Sequence, residues 1–406
     1  MARNNLLVGL EIGTTKIIFV VAESRPDGTL KILGIGKAPS RGVRKGEIFD
    51  FETANKCVHD ALADAESQVG MQIESVFVGV SGGHIDSFNN RGMVDLPEER
   101  EEIDEEDLEE VQVNAREVTL PPQNAVLHTI IQHYYVDGQD GITNPAGMLG
   151  RRLEADFHIV HGIKTRIQNA IRCVKEIPLE VEDVVLNGLA TAQIVLDASQ
   201  KTHGALVIDM GGGVTDYVVY RDGAVKGSGV LAVGGDHITN DISMGLRIPV
   251  NHAEKLKIEE GSLVLGNALP GETIQLRPEL GFAGKEIERE TLNQIMYLRV
   301  QETFELIKRR LDSGRALEML SAGVFLTGGC SRIHGIQHLA EEVFGLPAQS
   351  FRPRALSGVT AAIENPETAT ALGIVRFAQA MQSDSRRNNG KGVMKKFIGW
   401  LFASGK

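Results

Sequence analysis

Three short stretches could handle phosphate: GTTK at 13–16, GGGVTD at 211–216 and TGG at 327–329. Their glycines, Gly13, Gly211, Gly212, Gly213, Gly328 and Gly329, let the backbone approach an anion closely and reach positive φ. Successive backbone N–H groups in such turns form anion-binding nests. Thr14, Thr15 and Thr215 could add hydroxyl donors, and Lys16 a positive charge. Glu11 and Asp209 end the strands that lead into the first two turns. Carboxylates placed there suit Mg²⁺, which usually keeps several waters. Each stretch taken alone also describes an ordinary tight hairpin with no ligand.

Two of these turns sit in matching surroundings. VGLEIGTTKIIFVVAE (8–23) and LVIDMGGGVTDYVVYRDG (206–223) both read as apolar strand, acid, Gly/Thr turn and β-branched strand. One hairpin met twice at that distance implies two related lobes facing each other, and no short period points to a solenoid. Residues 53–69 fit an amphipathic helix, and 75–82 a strand. Residues 184–189 lead into a helix through Val195. Helices are also expected near 240–246 and 251–258, the second with Asn251 as N-cap and Glu254 at N3. Residues 291–313 form a long helix, 323–345 a strand, glycine turn and helix, and 367–381 a last body helix. Such alternation means α/β layers.

Residues 84–161 differ. An acidic run, PEEREEIDEEDLEE (97–110), precedes two strand candidates at 125–138 and 151–162. This reads as a small α+β insertion, its acids favoured at a helix start and on a solvated face.

At 406 residues and a formal charge of −12 the body is a poor general binder of nucleic acid. From residue 383 onward six basic residues oppose one acid, so the tail stands apart. Cys57, Cys173 and Cys330 show no metal-ligand spacing, which suits a reducing cytosol. No signal-peptide core and no bilayer-spanning run is seen.

The order and spacing of the three turns match the actin, chaperone and sugar-kinase superfamily. Rossmann and P-loop spacings do not fit. Within it, the chain resembles the FtsA family of cell-division proteins over nearly its whole length. The likeness rests on SRGVRKGEIFD (40–50), VFVGVSGGHIDSFNNRG (76–92), VDGQDGITNPAGMLGRRLEADFHIV (136–160), VGGDHITNDISMGLRIP (233–249) and AEKLKI (253–258). It implies an actin-like, duplicated ribonuclease H-like fold with an inserted subdomain of the SHS2 type. The division is 1–83 and 162–200 for the first lobe, 84–161 for the insertion and 201–366 for the second lobe. The outer subdomain of the second lobe is about 236–313, and 367–381 closes the first lobe. The resemblance also implies an ATP and Mg²⁺ site that includes Glu254, Lys257 and Ser331. Expected partners are the chain itself, other division proteins, and the C-terminal peptide of the tubulin-like FtsZ. That peptide would dock on 292–311, with Arg299 as the candidate contact.

Two positions depart from the family. Glu11 stands where Asp is usual, and Asn187-Gly188 where Glu-Pro is usual. Asn has no charge and cannot act as a general base. Nucleotide binding is therefore expected, with slow or absent hydrolysis. A PilM-like pilus-assembly homologue and a sugar-kinase-type phosphotransferase are the alternatives.

The last segment, KGVMKKFIGWLFASGK (391–406), follows a polar stretch read as a flexible linker over 382–391. On a helical wheel Val393, Met394, Phe397, Ile398, Trp400, Leu401 and Phe402 share one arc. Lys395 and Lys396 lie outside it. That is an interfacial helix, apolar side in lipid and lysines among anionic headgroups. The expected location is the inner face of the cell membrane at the division site.

Overall fold

The computed structural model describes residues 6–266, 268–269, 271–279, 281–312, 316–351, 356–358 and 363–387. Two sheets repeat one plan. In the first, the hairpin Leu6–Ile12 and Lys16–Ser24 pairs antiparallel with Leu30–Pro39 on one side. Ser75–Val80 and then Glu180–Leu186 add in parallel on the other side. In the second, Ala205–Met210 and Thr215–Arg221 pair with Ala224–Leu231, and Gly323–Thr327 and Ala348–Ser350 add in parallel. Numbered within its own lobe, each sheet runs 3-2-1-4-5. The short strand Leu356–Gly358 joins the outer edge of the first sheet beside Leu30–Pro39.

The strands are apolar runs because both sheet faces are covered. Ile17 to Ala22 are all fully buried, and Phe19 alone contributes about 1.5–3 kcal/mol by leaving water. Helix Phe51–Val69 lies on the first sheet, where Gly36 permits contact. A Cβ there would stand 2.2 Å from the Ala61 carbonyl. Helices Asn187–Val195 and Ala369–Arg387 lie between the two sheets, in one core with Val207, Val218 and Tyr220 of the second. They cross closely at Gly373, where a Cβ would stand 2.1 Å from the Ala190 carbonyl. The outer face of the second sheet is packed by Gly235–Leu246, Val250–Glu259, Arg289–Asp312 and Ile336–Phe344.

The stretch after residue 84 forms a separate four-stranded sheet in the order Ile85–Asp95, Arg152–Ile163, Asn124–Val136, Gln139–Ile142. Helix Glu105–Arg116 packs on it, begun by a capping box between Asp104 and Asp107. The acidic run is therefore a helix start, as its composition implies. The sheet also reaches the second lobe, because Ser87 Oγ donates to the Ser228 carbonyl at 2.6 Å and Gln132 Nε2 to the Val225 carbonyl at 2.6 Å.

Two local expectations are corrected. Asn251 is not an N-cap: Pro249 takes that position and the helix begins at Val250, with no side-chain cap. Proline's fixed φ and missing N–H suit a helix start. The last body helix does not stop at 381 but continues through Arg387, beyond the expected start of the linker at 382. No glycine or proline interrupts the chain before Gly390. The membrane residues proposed from sequence, Val393 to Phe402, lie outside the described residues.

Candidate functional site

Each hairpin closes its turn in the same way. Gly13 N donates to the Lys16 carbonyl at 3.0 Å, and Gly211 N to the Val214 carbonyl at 2.9 Å. The two turns face each other across one cleft, whose walls include Glu11 to Lys16, Asn187, Asp209, Gly211 to Val214, and Thr370. The fit is close. An ideal Cβ on Gly212 would lie 2.4 Å from Thr15 Cγ2, and one on Gly213 would lie 2.4 Å from Thr14 Oγ1. The second turn is held from behind by the start of helix Gly235–Leu246. There Gly235 N and Asp236 N donate to the carbonyls of Gly211 and Gly212 at 2.9 and 2.8 Å.

The third turn packs beneath. Gly328 has φ of 81°, and a Cβ on it would lie 2.5 Å from Asp209 Oδ1. Gly329 adjoins it, with Glu367 Cγ at 3.8 Å from its ideal Cβ. Two hydroxyls expected to meet a ligand are already committed. Thr215 Oγ1 donates to the Val233 carbonyl at 2.8 Å, and Ser331 Oγ to the Gly328 carbonyl at 2.7 Å. Both brace their turns from inside and are not free donors. Thr14 Oγ1 accepts from Gly46 N at 3.1 Å, so the 42–46 loop also folds onto the cleft. Lys16 pairs with Glu367 at 3.5 Å.

The cleft floor is acidic and buried. Asp209 Oδ2 accepts from Thr191 Oγ1 at 3.0 Å and Thr370 Oγ1 at 2.5 Å, both on the central helices. Asp216, 4% exposed, accepts from Ser81 Oγ with both oxygens at 2.9 Å. Burial raises the Asp209 carboxyl and, more strongly, that of Asp216, where Asp209 adds repulsion. Burial raises Glu11 to about 7, with Lys16 opposing. Glu11 Oε2 and Asn187 Oδ1 are buried and have no hydrogen-bond partner. Thr191, Thr370 and Ser81 escape sequence reading, because nothing local marks a hydroxyl that meets a distant carboxylate. Asp216 is visible as the last residue of GGGVTD.

Glu254 and Lys257 lie behind Gly235. Lys257 Nζ bonds Glu254 Oε2 at 2.7 Å, Thr239 Oγ1 at 2.9 Å and the Gly235 carbonyl at 3.2 Å. Arg299 is far from idle: its guanidinium bonds both Asp241 and Glu302. All three cysteines are buried thiols. Among the described residues no helix is long and apolar enough to cross a membrane.

Two mirrored lobes around a shared cleft, one lobe carrying an added sheet, define an actin-like protein. Chains of like architecture include one in a PilM–PilN type IV pilus biogenesis complex. It shows 16% identity over 92% of this chain and 98% of that one, with a TM-score of 0.65. Another is MreB5 of Spiroplasma citri bound to ADP, at 16% identity over 95% and 99% with a TM-score of 0.58. At that identity they show the fold alone. Sequence comparison goes further. Residues 206–373 match the model for cell division protein FtsA, and 82–161 that for the SHS2 domain inserted in FtsA. The chain is 37% identical to cell division protein FtsA of Pseudomonas aeruginosa, covering 93% of this chain and 90% of that one. It is 32% identical to FtsA of Escherichia coli K12, covering 98% and 96%. The chain belongs to the FtsA family of cell division proteins.

Proposed function

We propose that the cleft binds ATP with Mg²⁺ and that the protein assembles on the cytoplasmic membrane. There it tethers FtsZ filaments and recruits other division proteins. One observation carries the nucleotide reading: the glycine turns of two duplicated hairpins meet over buried carboxylates, with no room for a Cβ between them. The MreB5 neighbour with ADP supports it. Backbone N–H groups at 14–16 and 212–213 hold the phosphates, since those of Gly13 and Gly211 close the turns, and Lys16 leaves Glu367 for them. Among the described residues no three His, Cys, Asp or Glu side chains converge as a ligand set. Glu11 and Asp209 therefore suit Mg²⁺ only through its waters. The ion neutralises phosphate charge when bound. Glu254 and Lys257 border the nucleoside end, beside Gly235.

Hydrolysis is proposed to be slow. Asn187 occupies the expected base position as an uncharged amide. The nearby carboxylates are buried, and their raised values disfavour the ionised form.

The FtsZ surface is proposed on the second lobe. Helices Gly235–Leu246 and Arg289–Asp312 meet along Asp241–Arg299 and Gly245–Ile295. Met244 and Leu298 flank that seam, 78% and 55% exposed. They are apolar anchors for a peptide, while Arg299, held by two carboxylates, shapes the seam. The domain boundaries given above serve as the working division.

Gly212→Asp puts a side chain and a negative charge where phosphate would sit. Calorimetry should show ATP–Mg²⁺ affinity lowered at least about a hundredfold, with circular dichroism unchanged. Wild-type affinity would overturn the nucleotide reading. The membrane reading is tested by removing 391–406. The shortened protein should stay in the supernatant with anionic liposomes while binding ATP normally, and pelleting would overturn it.

A further inference from the structure

A second cavity, of about 1220 Å³, opens between the inserted sheet and the second lobe. It is separate from the nucleotide cleft. Its two long walls are edge strands, Ile85–Asp95 and Ala224–Leu231. They do not form a ladder with each other. Side chains cap the carbonyls instead: Ser87 Oγ on Ser228 at 2.6 Å, Asn89 Nδ2 on Lys226 at 3.0 Å, and Arg310 Nη1 on Val230 at 3.3 Å. In an antiparallel strand the N–H and C=O of one residue point the same way. The Ser228 and Val230 N–H groups therefore point outward with their carbonyls, toward the same side as the cavity.

Charge adds to this. Lys226, Arg221 and Arg310 line the cavity against a single lining carboxylate, Asp86, which is itself exposed. Two deeper groups are left over. The His84 side chain is 3% exposed and makes no well-aligned hydrogen bond, only a long contact from Nδ1 to Glu47. The nearest carboxylate, Glu47, lies 3.4 Å away and is already bonded by Arg166 at 2.8 Å. Asn124 Oδ1 is also buried and unpartnered, while its Nδ2 bonds His161 Nδ1 at 2.9 Å. Turning that amide over offers the cavity either a donor or an acceptor. Unpaired buried polar groups cost stability unless something satisfies them.

We propose that this cavity binds a small organic anion carrying carboxylate or phosphate, which bridges the inserted sheet to the second lobe. Ligand pockets commonly enclose about 300–1,000 Å³, so there is room for an organic body behind the charged group. Phe88, its ring 5.5 Å from that of His161, supplies an apolar wall for that body. Lys226 and Arg310 would make charge-assisted bonds to the anion.

The test uses the full chain saturated with ATP–Mg²⁺, so that the cleft is filled. Phenyl phosphate and isophthalate are titrated by calorimetry at constant ionic strength, which tells a phosphate site from a carboxylate site. One of them should bind saturably at one per chain. Lys226→Gln and Arg310→Gln should each weaken it by about tenfold, since a bond to a charged group is lost, with ATP affinity unchanged. In the unaltered protein, the probe should slow amide exchange at Ser228 and Val230 but not at 211–214. That readout stands even if a variant misfolds. Absence of saturable binding up to about 10 mM, far beyond the micromolar range of specific ligands, overturns the proposal. So does unchanged affinity in both folded variants, or slowed exchange confined to the cleft.

Discussion

Acid should loosen the contact between the inserted sheet and the second lobe through one histidine. His158 is 1% exposed. Its Nδ1 meets Asn89 Oδ1 at 2.7 Å and its Nε2 meets Ser228 Oγ at 2.8 Å. Asn89 Oδ1 can only accept, so Nδ1 carries the proton and Nε2 accepts from Ser228. Burial holds the ring down at about 4, against 6.5 when it is exposed. Between those values the closed contact binds fewer protons than the opened one. Its stability is full above about pH 6.5, falls as pH drops, and stops falling below about 4. Linkage with these two values gives about 2 kcal/mol lost at about pH 5. His128 carries the same sign: burial and then His158 hold it at about 4, and its Nε2 accepts from Leu186 N at 3.0 Å.

The cleft carries the opposite sign. Glu11 is raised to about 7, and Asp209 and Asp216 are raised too. Folding therefore favours their protonated forms, and acid strengthens the cleft while it weakens the His158 contact. A melting curve adds the two and obscures both. Segment-resolved hydrogen exchange separates them, read over 85–91, 155–162 and 224–230 and corrected for intrinsic rates. The opening free energy there should fall by about 2 kcal/mol between about pH 7.5 and 5. His158→Gln can keep both hydrogen bonds without titrating and should flatten most of that change. A flat profile in the unaltered protein, or an equal fall in the variant, would refute the reasoning.

Other outcomes follow from named contacts. ATP turnover on liposomes should stay below about 1 s⁻¹, the low end of ordinary enzymes. Glu11→Asp with Asn187→Glu should raise phosphate release, and a fast unaltered protein would remove Asn187 as the cause. Met244→Glu and Leu298→Glu should each weaken binding of the FtsZ C-terminal peptide at least about tenfold by placing charge at an apolar anchor. Fluorescence anisotropy with unchanged affinity in both would move the site elsewhere. Gly373→Val drives a side chain into the Ala190 carbonyl, at 2.1 Å from its ideal Cβ. It should cost at least about 1–3 kcal/mol, the usual range for overpacking, read as a lowered melting temperature.

Much of this architecture is legible in the sequence because it is local. The duplicated hairpins announce themselves by strand composition and by Gly13 and Gly211, which close both turns with the same hydrogen bond. What stays hidden depends on distant partners. Thr191 looks like one more small residue in an apolar helix, yet it bonds Asp209. Arg299 looks available on a long helix, yet Asp241 on another helix takes one arm of its guanidinium. Asn251 is a fair cap by residue type, but Pro249, with no N–H to satisfy, starts the helix first. The inserted sheet shows two of its strands by composition, whereas Ile85–Asp95 is broken by Asn, Arg and Gly and emerges only through its pairing with Arg152–Ile163.

Those hidden hydroxyls also join the two halves of the molecule. Asp209 and Asp216 stand on the second sheet. Their partners are Thr191 and Thr370 on the central helices and Ser81 just past the first sheet's Ser75–Val80 strand. The carboxylates are therefore shared between cleft chemistry and the joint between lobes. Both threonine hydroxyls fall on Asp209 Oδ2, so that one oxygen ties the second sheet to both central helices. The close approach of Thr15 to Gly212 leaves no room even for a Cβ between them, so a phosphate bound there as proposed would require the turns to part. Under the proposed function, that parting would couple occupancy of the cleft to the angle between lobes. A protein proposed to build a polymer needs that coupling, because subunit contacts made by both lobes register the angle. The joint is made of neutral hydroxyls on buried acids, bonds worth about 0.5–1.5 kcal/mol each and up to about 3 where the acid is charged.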